Sequence, residues 1–389
     1  MRIKRHIALP ALLVAALVLP AAPAAYAQEA PAGVTLKAGR RVMDFGQSVI
    51  LRGRIDPPSE DETISLVDAD GRERATATTD AEGRYRVRVA PRRTTQYVAR
   101  WLALVSEPVT VKVRPKVTVS LRAVRLFGTA QVRGTVRPVQ EEGRVAVTLR
   151  RDGEAAWTRR VELRDGRRFS TSFEVGKVGR FSVGATFTDA SGVRGADRSA
   201  VRPTPLPYLT VGASGIFVRL LESRLCELRY KLLGCDRRFS TDTADALRAF
   251  NKVEGRTRLG TVDAATWAAL AQADVARARY RTKGFHIEVD QTRQVLLMVK
   301  DGKVTAVLHT STGAGGATRD GTFHVYRKLA GYSPNRLYYP SYFDGLRALH
   351  GWPDVPTYPA SHGCSRLPMW SATWVYGKVD IGTTIHVYH

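Results

Sequence analysis

The chain has 389 residues, 44% of them hydrophobic, with 60 Lys and Arg against 36 Asp and Glu, a formal charge of +24. That length exceeds one ordinary domain, and the apolar share can fill several separate cores. So positive a chain seeks anionic polymers, lipid headgroups or acidic peptides, in contacts that salt weakens; it carries no recognisable nucleic-acid motif, which argues against DNA or RNA.

Arg2, Lys4 and Arg5 precede an apolar run from Ile7 to Val18 that is too short to span a bilayer comfortably, and Ala25-Tyr26-Ala27 is a small-x-small cleavage site. Together they predict an export signal over residues 1–27. No later stretch is long and apolar enough for a membrane anchor, so the mature chain is expected outside the cytoplasmic membrane.

Residues 28–204 repeat internally. Phe45-Gly46 and Phe127-Gly128 lie 82 residues apart, and Gly53 and Gly134 lie 81 apart. Apolar and basic residues alternate in Tyr85-Arg86-Val87-Arg88-Val89, and turns recur at Asp70-Gly71, Glu82-Gly83, Asp152-Gly153 and Asp165-Gly166. This predicts two immunoglobulin-like β-sandwiches, 28–116 and 117–204, acting as a spacer or as a binder of anionic polymer through their arginine-rich faces.

Pro203-Thr204-Pro205-Leu206-Pro207 reads as a stiff linker. Beyond it, Val218, Leu221, Leu225 and Leu228 share one helical face, Thr243 is expected to cap a second helix and Asp263 a third. The pattern Thr243-x-x-Ala246-Leu247-x-x-Phe250 followed by Gly260-Thr261-Val262-Asp263-x-x-Thr266-Trp267-x-x-Leu270 resembles the three-helix peptidoglycan-binding domain, here 209–275. Asn251 stands where that family usually has Gln. The close spacing of Cys226 and Cys235 fits a disulfide within this module, which would leave Cys364 as the odd thiol among three cysteines. A zinc site lacks the further ligands it needs.

Residues 276–282 read as a second, basic linker. Strand-like runs follow at His286–Asp290, Gln294–Val299, Val304–Leu308 and Gly321–Val325. The most telling segment is Ser361-His362-Gly363-Cys364, with a second His-Gly pair at His350-Gly351. A cysteine near two histidines suits acyl transfer, with the sulfur attacking and an imidazole taking and returning the proton. With Val289-Asp290, Asp301-Gly302, Ser311-Thr312-Gly313 and Gly321-Thr322-Phe323, these motifs make residues 283–389 similar to L,D-transpeptidase catalytic domains of the YkuD type. Ser365 replaces the usual aliphatic residue after the cysteine, and Thr318-Arg319-Asp320 replaces a Thr-Pro.

The expected fold is thus mainly β and multidomain: two sandwiches, a small helical bundle and a β-rich C-terminal domain. Cys364 is the expected nucleophile, its thiolate stabilised by an imidazolium, and His350 its acid–base partner. The resemblance implies that the Gly351 carbonyl orients the His350 ring. His362 is assigned to shaping the loop and supporting the oxyanion, and the amides of Gly363 and Cys364 to the oxyanion hole. Arg366 suits a substrate carboxylate, with Ser361 and Tyr339 also expected at the substrate. The resemblance implies 3→3 cross-linking of peptidoglycan stems through a thioester, without metal or cofactor, and reaction with carbapenem-type inhibitors. An L,D-carboxypeptidase that trims stems, or a non-catalytic wall-binding protein, are the alternatives.

Overall fold

The computed structural model describes residues 32–389, so the export signal expected over residues 1–27 lies outside the described residues. Two compact units divide after Lys112. The first is an antiparallel sandwich. Val49–Asp56 pairs with Arg84–Val89 in one sheet, and Thr63–Asp68, Thr95–Trp101 and Val109–Arg114 build the other. Its interior is filled by Leu51, Ile55, Ile64, Leu66, Tyr97 and Val111; in Arg84–Val89 buried Tyr85, Val87 and Val89 alternate with exposed Arg, as the period of two requires.

The second unit opens with the other sandwich. A three-stranded sheet orders Lys116–Arg122, Thr129–Arg137 and Arg168–Glu174, and the facing sheet orders Glu154–Glu162, Arg144–Arg151, Arg180–Thr188 and Arg194–Arg198. This is the immunoglobulin-like arrangement. Gly53 and Gly134, equivalent in the sequence repeat, have one shared cause. A Cβ at Gly53 would collide with the Thr35 carbonyl and the Tyr85 side chain, and one at Gly134 with the Thr118 carbonyl and the Phe169 ring. In both sandwiches the facing aromatic occupies the space that only glycine leaves open.

Three helices follow: α1 (Ile216–Glu227), α2 (Thr241–Val253) and α3 (Ala264–Gln272). Asp263 caps α3 as expected, accepting from Thr266 N at 2.7 Å. Thr243 is not a cap. Ser240 holds that position, and Thr243 lies buried within α2 with its hydroxyl on Glu222 at 3.2 Å. Asn251 reaches the Leu259 carbonyl at 2.8 Å, tying the α2–α3 connection. The expected disulfide is absent: Cys226 and Cys235 are free thiols with sulfurs 3.5 Å apart, well beyond the ~2.05 Å of a covalent S–S bond.

The C-terminal domain has two sheets. β1 (Phe285–Asp290), β2 (Val295–Lys300), β3 (Lys303–His309), β4 (Gly321–His324) and the final strand β9 (Thr384–Tyr388) form the first, in the order β3-β2-β1-β9-β4. The second runs β5 (Arg327–Lys328), β6 (Tyr338–Asp344), β7 (Arg347–Trp352), β8 (Ser365–Pro368), with helix α4 (Met369–Tyr376) after it. Between the sheets lies a core of Ile287, Val289, Leu296, Met298, Leu308, Phe343, Leu349, Leu367 and Ile385.

The opposite face of the first sheet is covered by the rest of the unit. Val295, Leu297, Val299 and Val307 share one continuous core with Leu221, Leu225, Phe250 and Trp267 of the bundle and Leu126 of the second sandwich. Neither predicted linker hangs free. The Pro207 carbonyl accepts from Trp267 Nε1 at 2.8 Å, and the amides of Arg279 and Tyr280 donate to the buried Glu288 carboxylate at 3.0 and 2.9 Å. Apolar strand residues that face outward need such a cover.

Candidate active site

The hairpin and crossover of the second sheet bring the two sequence motifs together. β7 and β8 pair in parallel, with Leu349 opposite Ser365, His350 opposite Arg366 and Gly351 opposite Leu367. Paired residues point the same way and alternate residues share a face. His350 and Trp352 therefore lie on one face with Arg366 and, one residue ahead of β8, Cys364. The Cys364 sulfur stands 3.8 Å from the Leu346 carbonyl. The sulfur thus sits against the start of the strand that carries His350.

His350 is 2% exposed. Its Nδ1 donates to the Gly351 carbonyl at 2.8 Å, which leaves Nε2 of the neutral ring as a bare acceptor. Trp352 stands edge-on 5.6 Å away. Burial, with the Arg366 charge adding to it, pulls the imidazole pKa down to about 4. Burial likewise pushes the Cys364 thiol up, against the Ala348 amide and the charges of Arg366 and Arg347. Both shifts favour the uncharged forms, a thiol and a neutral imidazole, over the thiolate and imidazolium expected from the sequence. A site that excludes water disfavours both charges.

The turn holding Cys364 is built from hydroxyls. Ser361 Oγ donates to the Cys364 carbonyl at 2.6 Å and accepts from Gly363 N at 3.0 Å. Thr318 Oγ1 donates to the Gly363 carbonyl at 2.9 Å and accepts from Gly313 N at 2.8 Å. Gly363 has φ +124°, and a Cβ there would meet Arg347 Nε at 2.7 Å, so only glycine fits. Of the two amides expected in an oxyanion hole, that of Gly363 is already bonded to Ser361. His362 is exposed, so the turn is held by Ser361 and Thr318. The Arg366 guanidinium lies 5.1 Å from the Trp352 ring centroid. Tyr339 turns its ring edge-on to Tyr338 and Tyr376, at 4.7 and 5.1 Å, and it is Tyr338 that pairs with Gly351.

Sequence reasoning missed Arg347 and Thr318. Arg347 Nε donates to the Ala317 carbonyl at 2.8 Å and its Nη1 meets Asp344 Oδ2 at 3.0 Å. The hydrogen bond from Arg319, with both arginine charges, holds the Asp344 carboxyl below the usual carboxylate range. The tight turn Asp344-Gly345-Leu346-Arg347 was the available signal. Among the described residues, no group of three His, Cys, Asp or Glu is placed to hold a metal.

Comparison with known proteins identifies the domain around this site. Residues 284–387 match the YkuD family, the L,D-transpeptidase catalytic domain. The chain carries a YkuD-type L,D-transpeptidase domain. A solved L,D-transpeptidase from Xylanimonas cellulosilytica is 33% identical, over 48% of this chain and 100% of that one, with a TM-score of 0.44. One from Stackebrandtia nassauensis is 27% identical over 48% and 97%, at 0.31, and one from Mycobacterium tuberculosis 20% over 27% and 58%, at 0.26. No curated protein matches the chain. The Cys364 turn and the His350 strand both lie within the matched residues.

Proposed function

We propose that the protein is an exported peptidoglycan L,D-transpeptidase that forms 3→3 cross-links through a thioester on Cys364. The observation that supports this reading is the β7–β8 register, in which His350 pairs with Arg366 two residues after Cys364, together with the Nδ1–Gly351 bond that leaves the imidazole Nε2 to accept a proton.

The steps follow from that arrangement. The Cys364 proton passes to His350 Nε2 as the sulfur adds to the stem carbonyl between the L-centre of a diamino acid and the terminal D-residue. The resulting oxyanion meets the Cys364 amide. Nε2–H then protonates the departing amine, the C–N bond breaks and a thioester remains. An amine from a neighbouring stem gives its proton to Nε2 as it attacks, and the thiolate leaves and recovers that proton. Gly351 holds the ring through its carbonyl. Arg366, stacked on Trp352, takes a stem carboxylate, and exposed His362 meets the stem at the rim. Tyr339 and Tyr338 form an aromatic wall beside Gly351. Ser361 acts through the turn.

Around this centre the bundle serves as a peptidoglycan-binding module. The second sandwich offers a groove of about 780 Å³ lined by Thr118, Ser120, Arg133, Arg164 and Arg168, with Asp165 among them, suited to an anionic wall polymer. A solved relative forms a carbamoyl enzyme with avibactam, and a carbapenem is expected to acylate Cys364 in the same manner. Mass spectrometry of muropeptides tests the reading. The folded wild type yields 3→3-linked dimers and Cys364→Ala yields none. Trimmed tripeptides without dimers would make the protein a carboxypeptidase, and unchanged stems would end the enzymatic reading.

A further inference from the structure

Ser365, the residue that departs from the family pattern, has a partner that the reaction does not use. It is fully buried, and its hydroxyl lies 2.7 Å from Thr310 Oγ1. Thr310 Oγ1 donates its only proton to the Arg366 carbonyl at 2.6 Å, so Ser365 is the donor in the first bond. Next to it, Ser311 and Arg366 exchange backbone bonds of 3.2 and 2.9 Å. The two residues following Cys364 are thus fastened to Thr310–Ser311.

Thr310 is held in turn from the helical bundle. Lys252, near the end of α2 and 2% exposed, directs its Nζ at the carbonyls of Thr310 (2.9 Å) and Gln294 (2.8 Å) and at His309 Nδ1 (2.7 Å). His309 Nε2 must donate to the Val355 carbonyl at 2.8 Å, which leaves Nδ1 bare to accept. An ammonium therefore spends all three N–H bonds here. Burial, with the charges of Arg258 and Arg248, pulls Lys252 down to about 6; against that pull stands the geometry, three acceptors around Nζ that only an ammonium can serve at once. Val355 belongs to the loop that joins the His350 strand to the Cys364 turn. One lysine of the bundle thus braces the segment after Cys364 through Thr310, and the loop after His350 through His309.

We propose that Lys252 is a positioning residue for the acylation step, fixing the relative placement of Cys364 and His350 through Thr310 and His309, so that the bundle completes the catalytic centre besides covering its sheet. This rests on the Cys364 reading above. Replacing the ammonium with a thioether strands buried acceptors, and replacing Thr310 with Val cuts the same path.

Carbapenem acylation of the full mature chain tests this, with rate constant and apparent affinity read by mass spectrometry for wild type, Lys252→Met, Thr310→Val and the double variant. Each single change is expected to lower the saturating rate by about tenfold while leaving affinity within about twofold, and the double variant to be no slower than the slower single one. A general loss of packing would move melting temperature and affinity together, and would add in the double variant. A folded Lys252→Met protein that reacts at the wild-type rate overturns the proposal, and so do fully additive rate losses. Should Lys252→Met fail to fold, Thr310→Val decides alone: an unchanged saturating rate refutes the path. A folded, reduced wild type that takes no carbapenem removes the nucleophile reading itself, and the proposal with it. A labelled wild type with an indifferent Lys252 removes only the proposal.

Discussion

In the proposed reaction His350 sets the pH behaviour of the site. Its ring pKa lies near 4, below the ordinary 6.5, because burial disfavours the imidazolium. The base form is therefore present above about pH 4, and the acylation rate is expected to stay level from neutral pH down and to fall by half near pH 4; a half-fall near 6.5 would mean an ordinary, solvated ring. The linkage sign is fixed by the same shift. As pH drops below 6.5 the unfolded chain takes the proton before the folded one does, so this ring adds nothing against folding above 6.5 and lowers stability progressively toward pH 4. Gly363 gives a second residue-scale prediction. Gly363→Ala must leave its φ of +124° or push Arg347 aside, and either displaces Cys364. Acylation should fall at least about a hundredfold, read by carbapenem labelling of the folded variant. The residues proposed to react were legible because Ser361-His362-Gly363-Cys364 and His350-Gly351 are local motifs. Thr318, Arg347 and Lys252 were not, since each acts on a partner brought close only by tertiary packing: Lys252 and His309 stand 57 positions apart in sequence.

At the scale of elements, the bundle and the catalytic sheet are joined by one core. Phe250 is fully buried and packs edge-on to Tyr230 at 5.6 Å, in the cluster that also holds Val295, Leu297 and Val307. Phe250→Ala is expected to cost about 3–5 kcal/mol. Amide exchange should quicken in β2 and β3 as well as in α2; acceleration confined to the bundle would mean that the two fold separately. Periodicity revealed the helices and the sandwich repeat, because apolar spacing is set by each element's own geometry and the paired glycines recur where an aromatic faces them. It gave neither the docking of the proline-rich and basic segments nor the Ser240 cap, which depend on what packs against them. Helix α2 starts two residues ahead of Thr243, whose hydroxyl Glu222 captures from another helix. The Cys226–Cys235 pairing failed on geometry that spacing cannot supply.

For the whole molecule, the proposed attachment to an anionic wall draws on a chain of formal charge +24 and so should depend on ionic strength. Co-sedimentation with purified wall should decline steeply as salt rises toward about 1 M. A paired Arg133→Glu and Arg168→Glu change should weaken it further while sparing carbapenem labelling; sedimentation indifferent to both would leave the second sandwich as a spacer. The central claim is narrower than attachment: the Cys364 sulfur, with His350 as its base, carries the acyl group. Intact-mass and peptide mapping of the reduced, folded protein after carbapenem treatment tests this most directly. The account predicts one covalent adduct, on the peptide containing Cys364, lost in Cys364→Ala and slowed at least about a hundredfold in His350→Ala. An adduct on another residue, or none on a protein shown to be folded with Cys364 reduced, would contradict it.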